Sequence, residues 1–290
     1  MAVAPTVRRR RLGIELRRLR EQLALTVEEI AARLDWSPSK LSRIENARIG
    51  ARVSDVRLLL ELYSVDETHL GELLALAQAS IQEGWWRSYS DVLSGKFAAY
   101  VALEDEACTA LTFTTYSIPG LLQNEEYAHH VLESGRVIAV STPRQVARRL
   151  ESRMRRQELL HRKSPLLFSA VIDESVLLRV VGDGGVMRRQ MFSLLELAVM
   201  PNVQIYILPL NVHRAPVFSD TFTLLEFASS YDVIFPDVVY IDTLSTTGEL
   251  QDDSITHMYR MSWEALKSVS LPADESILRI SRMAEEWARR

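Results

Sequence analysis

The chain has 290 residues, 47% of them hydrophobic and 25% charged, the balance of a soluble globular protein of about two domains. No apolar run approaches the roughly 18 residues of a membrane span, and the arginines Arg8 to Arg11 lead into no signal-peptide core. The lone cysteine, Cys108, excludes an internal disulfide or a multi-cysteine zinc site and fits a reducing, cytoplasmic setting.

The net charge of −4 is unevenly divided. Residues 1–52 hold twelve Lys/Arg against six acids, a surplus of +6, and the remaining 238 residues carry −10. A basic head on an acidic body suits nucleic-acid binding by the head.

The first 80 residues are expected to form five short helices. Leu12, Leu16 and Leu19 stand at helical spacing and define the first. Thr26-Val27-Glu28-Glu29 reads as a capping box that opens the second, with Ile30 and Leu34 turned inward. Asp35-Trp36-Ser37-Pro38 is a sharp restart, with Ser37 as N-cap and Pro38 at the first helical position, where a missing N–H costs nothing. The third helix runs from Pro38 to about Asn46, burying Leu41 and Ile44 and leaving Ser39, Lys40, Ser42 and Arg43 outward. Two short helices about three residues apart form a helix-turn-helix signature. Ser54 is expected to cap a fourth helix, and Asp66 a fifth running to about Ile81.

The outward face of the third helix is where chemistry is legible. Its amide end favours phosphate. Arg43 can donate two parallel hydrogen bonds to guanine, whereas Lys40 is suited to a point contact with phosphate. The same pattern also fits a small helical bundle whose polar residues only keep it in solution.

Beyond residue 84 the pattern mixes helices with strands. Trp85 and Trp86 are expected to be buried at the joint, and Ser117 to Gln123 to make a turn that starts a helix through Tyr127. Thr142-Pro143-Arg144-Gln145 is a second capping box, opening an arginine-rich helix to about Arg162. Phe168–Ile172, Val203–Leu208, Phe222–Phe227 and Val238–Ile241 read as strands, and Val186–Val199, Asp252–Ser268 and Ala273–Arg289 as helices. Cys108 reads as a small core residue on a helix with Ala107 and Leu111. Long helices around clustered strands favour α+β over a doubly wound sheet.

The usual catalytic constellations are missing. Gly182-Asp183-Gly184-Gly185 lacks the Lys-Ser/Thr of a phosphate loop, and the six histidines show no metal-ligand spacing. Asp173-Glu174 could serve as acid and base, although a strand-end N-cap is the commoner use of such a pair. The sequence therefore points to no enzyme, no cofactor and no metal.

Residues 23–63, above all LSRIENAR from Leu41 to Arg48, resemble the lambda-repressor-like (Xre-type) helix-turn-helix family, over roughly Leu12 to Leu76. The resemblance implies that the helix beginning near Pro38 is the recognition helix. Ser39, Ser42 and Arg43 would then face bases, and Lys40, Asn46 and Arg48 would hold the DNA backbone. Val27 stands where the family often has a phosphate-touching glutamine, so only its backbone amide could take that role. With Ser37 at the amide end of the helix, the candidate DNA-binding set is Val27, Ser37, Ser39, Lys40, Ser42, Arg43, Asn46 and Arg48. Asp35 and Ala47 occupy usual glycine positions, and Ala47 there implies strain or a shifted turn.

The strings GWW (Gly84–Trp86), PGLLQ (Pro119–Gln123), EYA (Glu126–Ala128), IDES (Ile172–Ser175) and LPADES (Leu271–Ser276) occur in that order. They resemble the C-terminal domain of actinobacterial regulators of the WhiJ-like, antitoxin-type group, with Asn124 and Asp242 as departures. That resemblance implies transcription control, often with a small partner protein encoded nearby. The expectation is a mainly α protein, with a five-helix lambda-repressor-like domain over 1–80 and a larger α+β domain over 84–290. It would be a cytoplasmic, homodimeric regulator that binds double-stranded DNA and senses a small partner protein or effector, with no membrane contact. The competing reading is an antitoxin-like interaction module whose DNA binding is secondary.

Overall fold

The structure is a computed structural model that describes residues 5–137, 141–212, 221–229, 233–242 and 247–289. The chain forms two compact units: Met1–Ser88 together with Phe227–Phe235, and Tyr89–Glu226 together with Pro236–Arg290.

The first unit contains the five expected helices, α1 (Val7–Gln22), α2 (Val27–Arg33), α3 (Pro38–Glu45), α4 (Val53–Leu62) and α5 (Glu67–Ser80). Their apolar stripes close on one core that includes Leu12, Leu16, Ile30, Leu41, Ile44, Leu59 and Leu73. Side-chain oxygens of Thr6, Thr26, Ser37 and Asp66 cap α1, α2, α3 and α5, and Thr26 with Glu29 completes the capping box. Ser54 is no cap. The N-cap of α4 is Arg52, without a side-chain bond, and Asp55 in the first turn supplies the negative charge that the helix dipole favours there.

α1 to α4 each end on a non-glycine residue in the left-handed region: Ala24, Asp35, Ala47 and Ser64, with φ of 53° to 55°. At Ala47 the turn keeps its register, with Ala47 N–H donating to the Ile44 carbonyl and Arg48 N–H to that of Arg43. Of the two expectations for Ala47, strain is therefore the one realised. α1 also needs Gly13: a Cβ there would lie 2.5 Å from the Glu45 carbonyl oxygen.

One part of this unit comes from far along the chain. Val233 is buried in the helical core. Arg11 of α1 donates to the carbonyls of Ala228 (2.7 Å) and Val233 (3.3 Å), and its guanidinium lies over the Phe235 ring.

The second unit is built on a six-stranded sheet of order β3-β2-β1-β4-β5-β6. Its strands are β1 (Thr109–Thr114), β2 (Leu167–Asp173), β3 (Val203–Leu208), β4 (Phe222–Glu226), β5 (Val238–Asp242) and β6 (Thr247–Leu250). β1, β2 and β3 pair in parallel, while β1, β4, β5 and β6 pair antiparallel. Parallel pairs need crossovers. These are α7 (Glu125–Ser134) with α8 (Pro143–Arg156) between β1 and β2, and α9 (Glu174–Leu178) with α10 (Gly184–Ala198) between β2 and β3. α6 (Gly95–Glu106) precedes the sheet; α11 (Asp253–Val269) and α12 (Ala273–Trp287) follow it.

One sheet face packs Leu111, Phe113, Phe222 and Leu224 against Trp263 and Leu266 of α11. Two sequence expectations fail here. Cys108 is not helical: α6 stops at Glu106, and the residues that follow form β1 at the centre of the sheet. The arginine-rich helix ends at Arg156 and continues as a 3-10 turn, Gln157–Leu160, short of Arg162. The helix through Tyr127 follows the Ser117–Gln123 turn as expected, capped by Asn124. Of the two tryptophans expected to be buried, Trp86 is, whereas Trp85 is only half-buried.

Candidate nucleic-acid interface

The helix-turn-helix is α2, four connecting residues and α3. Its geometry follows from local chemistry. The left-handed Asp35 lets Trp36 N–H reach back to the Ala31 carbonyl at 2.8 Å, which ends α2. Ser37 and Pro38 then restart the chain as α3. Leu41 and Ile44, four and seven residues after Ser37, are buried, so Ser39 and Arg43 must face outward.

The eight candidate residues fall into two groups. Ser39, Arg43 and Arg48 are exposed, and no side-chain bond engages them among the described residues. The others already have work inside the domain. The Ser37 hydroxyl accepts from Lys40 N–H at 3.2 Å as the α3 cap. Lys40 Nζ lies 3.1 Å from Asp55 Oδ2 and 3.5 Å from the centre of the Trp36 ring. Asn46 is the C-cap: its Nδ2 donates to the Ser42 carbonyl at 2.7 Å, and its Oδ1 accepts from Arg17 Nη2 at 2.7 Å. Ser42 is half-buried beneath Asn46. Val27, the first residue of α2, packs on the core with its side chain.

The structure adds residues that the sequence reading did not single out. Glu45 on the inner face of α3 is buried and receives a bidentate pair from Arg20 of α1, Nε to Oε1 at 2.7 Å and Nη2 to Oε2 at 2.9 Å. Arg20 also donates to the Leu25 carbonyl at 2.8 Å, which ties α1, the entry to α2 and α3 together. The Glu45 partner holds the Arg20 charge firmly, raising its pKa against the opposing effect of burial. Arg17, which bonds Asn46 and sits 3.6 Å from Glu45, is partly exposed beside α3. The signal for both arginines was present in the α1 spacing, since Arg17 and Arg20 stand on one face three residues apart.

A second charged cluster joins α1 to α5. Glu15 is buried, pairs with Arg18, and takes His69 Nε2 at 3.1 Å. Burial works to raise its pKa, but the bonds from Arg18 and His69 outweigh it and hold the carboxyl below the usual range.

The charge map needs one correction. Residues 53–83 hold six acids against Arg57 alone, so half of the −10 outside residues 1–52 belongs to the segment of α4 and α5, and residues 84–290 carry only −5. The contrast of sign therefore lies chiefly within the helical head, between its α1–α3 segment and its α4–α5 segment.

Among the described residues no three His, Cys, Asp or Glu side chains converge as metal ligands would, and no helix is long and apolar enough to cross a membrane. Asp173 and Glu174 sit at the end of β2. Asp173 caps α9 through Ser175 N–H, while buried Glu174 accepts from Leu210 N–H at 3.0 Å and pairs with Arg279.

Residues 11–73 match the family described as a helix-turn-helix domain, and residues 97–282 match the domain of unknown function DUF5753. No curated protein and no solved structure matches the chain.

Proposed function

We propose that this chain, which belongs to the DUF5753 family and carries a helix-turn-helix domain at its head, is a sequence-specific transcription regulator of the Xre type. Its body binds a partner or effector rather than catalysing a reaction. The observation that carries the reading is the exposed, unengaged row Ser39, Arg43 and Arg48 on and just after α3. A major groove accepts a helix that presents such a row, and an Arg at its centre reads guanine through two hydrogen bonds. Lys40, Asn46, Ser37 and Val27 act around it, shaping the helix or offering amides and charge to the backbone.

The body reading draws on the ordered strings from Gly84 to Ser276, which resemble WhiJ-like, antitoxin-type regulators and so favour a small protein encoded nearby as the partner. Asp173 and Glu174 take structural parts in this reading, a helix cap and an ion pair with Arg279. The working form is a cytoplasmic homodimer.

The test is a gel shift of the full chain on DNA from upstream of its own gene, with and without the neighbouring small protein. Specific retention that the small protein alters is the expected result. Tight capture of the small protein with no specific retention of DNA would favour the antitoxin-type module instead.

A further inference from the structure

The sheet face opposite α11 is not filled like a core. β1 places Leu111 and Phe113 toward α11, so its alternate residues Thr112 and Thr114 turn to the other side. Both are buried, and Thr112 meets Thr223 of β4 hydroxyl to hydroxyl at 3.0 Å. Two cavities of about 200 and 250 Å³ lie in this body, the first lined by these threonines, and the two share a wall of Phe97, Arg153 and Arg156. Both volumes fall below the roughly 300 Å³ at which sites for drug-sized ligands begin, so an occupant would be of metabolite size.

The charge of the walls is one-sided. α8 supplies Arg149, Arg153 and Arg156, which stand on one helical face at steps of four and three residues. The carboxylate that faces them is Glu104, and it is fully engaged by Arg156 through Nε (2.7 Å) and Nη2 (2.8 Å). Arg149 donates to the Val92 carbonyl and to Ser141 Oγ, both neutral. Arg153 donates to the neutral amide oxygen of Gln123 at 2.7 Å, and no ion pair engages it among the described residues. Burial and the neighbouring Arg156 charge lower its pKa to about 10. Arg153 is half-buried at the cavity wall, and a guanidinium partly withdrawn from water with only a neutral partner is stabilised by an anion beside it.

We infer that the body holds a binding site for a small organic anion, one carboxylate or phosphate group on a compact apolar skeleton, with Arg153 as its principal ligand and Phe97 and Ile118 against the skeleton. The guanidinium fork matches either oxyanion, and of the paired Thr112 and Thr223 hydroxyls the one that accepts keeps its own hydrogen to donate. The site stands on the cavity alone, whereas any control it exerts over DNA rests on the regulator reading above.

Calorimetric titration of the full chain with phenyl phosphate, benzoate and benzyl alcohol tests it. We expect one-to-one, saturable binding of at least one of the two anions, which identifies the headgroup, and none of the alcohol. Arg153→Gln should weaken that binding at least tenfold and Arg153→Lys severalfold, because lysine keeps the charge and loses the fork. Arg144→Gln, at an exposed site on the same helix outside the cavity wall, should leave it unchanged. If Arg153→Gln does not fold, Arg153→Lys decides. Failure of both anions to bind at millimolar concentration overturns the proposal. So does equal affinity in the folded Arg153 variants, or binding of the alcohol as tight as that of the anions. The gel shift is independent of these outcomes, so loss of this site would leave the DNA-binding reading intact.

Discussion

Arg43 and Arg48 are five residues apart, yet they differ in what they can read. Arg43 projects from the exposed face of α3 and Arg48 follows that helix; in the proposed complex the first would offer both parallel donors to a guanine edge and the second would meet the DNA backbone. Arg43→Ala should therefore cost about 1–3 kcal/mol on the specific site and relax one base position. Arg48→Ala should weaken all sequences alike and flatten the dependence on salt. Binding measured on a set of single-base operator variants at two salt concentrations separates the two, and equal affinity of Arg43→Ala for every site would reject the assignment of α3. Ala47 gives a residue-scale test of stability. Its left-handed backbone (φ of 54°) is strained for any side chain, so Ala47→Gly should raise stability by about 1 kcal/mol. A chemical denaturation midpoint that falls on that change would show that the buried methyl outweighs the strain.

Between elements, the head depends on charge pairs that cross helices. Glu45 lies on the inner side of α3 and is buried with Arg20. Removing one partner of such a pair leaves the other uncompensated, and Glu45→Ala should cost about 3–5 kcal/mol. Because Glu45 holds the recognition helix to α1, this change should also abolish DNA binding under conditions where the body remains folded. Circular dichroism alongside a gel shift tests both. Glu15, between α1 and α5, has a carboxyl pKa below its ordinary value. Its contribution is present above the unfolded value of about 4.3 and fades as pH falls through the lower native value. Acid unfolding of the head should therefore be less steep in Glu15→Gln, as measured by a denaturation midpoint followed from pH 6 to pH 3. An unchanged slope would remove Glu15 from the account.

At the scale of the whole chain, the head is not a continuous stretch of sequence. Phe227–Phe235 belongs to the same unit as residues 1–88, with Val233 in the helical core and Arg11 bonded to two of the segment's carbonyls. Val233→Ala in the full chain should cost the head about 1–2 kcal/mol, by loss of buried methyl groups. Hydrogen exchange of the Leu12 and Leu59 amides reads this out, and unchanged protection would mean that the segment adds nothing. A fragment cut at residue 80 or 88 lacks that support, and a fragment of 84–290 carries the segment without its helices. One short helix-turn-helix also covers few base pairs, which is why such heads commonly act in pairs on palindromes. Light scattering of the full chain at micromolar concentration should give a dimer, and a monomer both free and on DNA would refute it.

The helical head was legible because its information is local. The capping box at Thr26, the Ser37-Pro38 restart, the Asp66 cap and the spacing of Leu41 and Ile44 each act within one or two turns of their own position, and the outward face of α3 followed from them. The tertiary structure decided what depends on distant partners. β1 was read as part of a helix because its Thr-Ala-Leu-Thr-Phe-Thr run is short, and its strand state is fixed by β2 on one side and β4 on the other. Lys40 and Asn46 carry the right chemistry for DNA, but only the fold shows that Asp55 and Arg17 already engage them. Likewise the sequence displays the arginines of α8, while the pairing that gives Glu104 to Arg156 and the neutral Gln123 to Arg153 arises where α6, α8 and the sheet meet. A side chain's type and helical face are set by near neighbours, whereas its partner is set by whatever the folded chain brings within a few ångströms from tens of residues away.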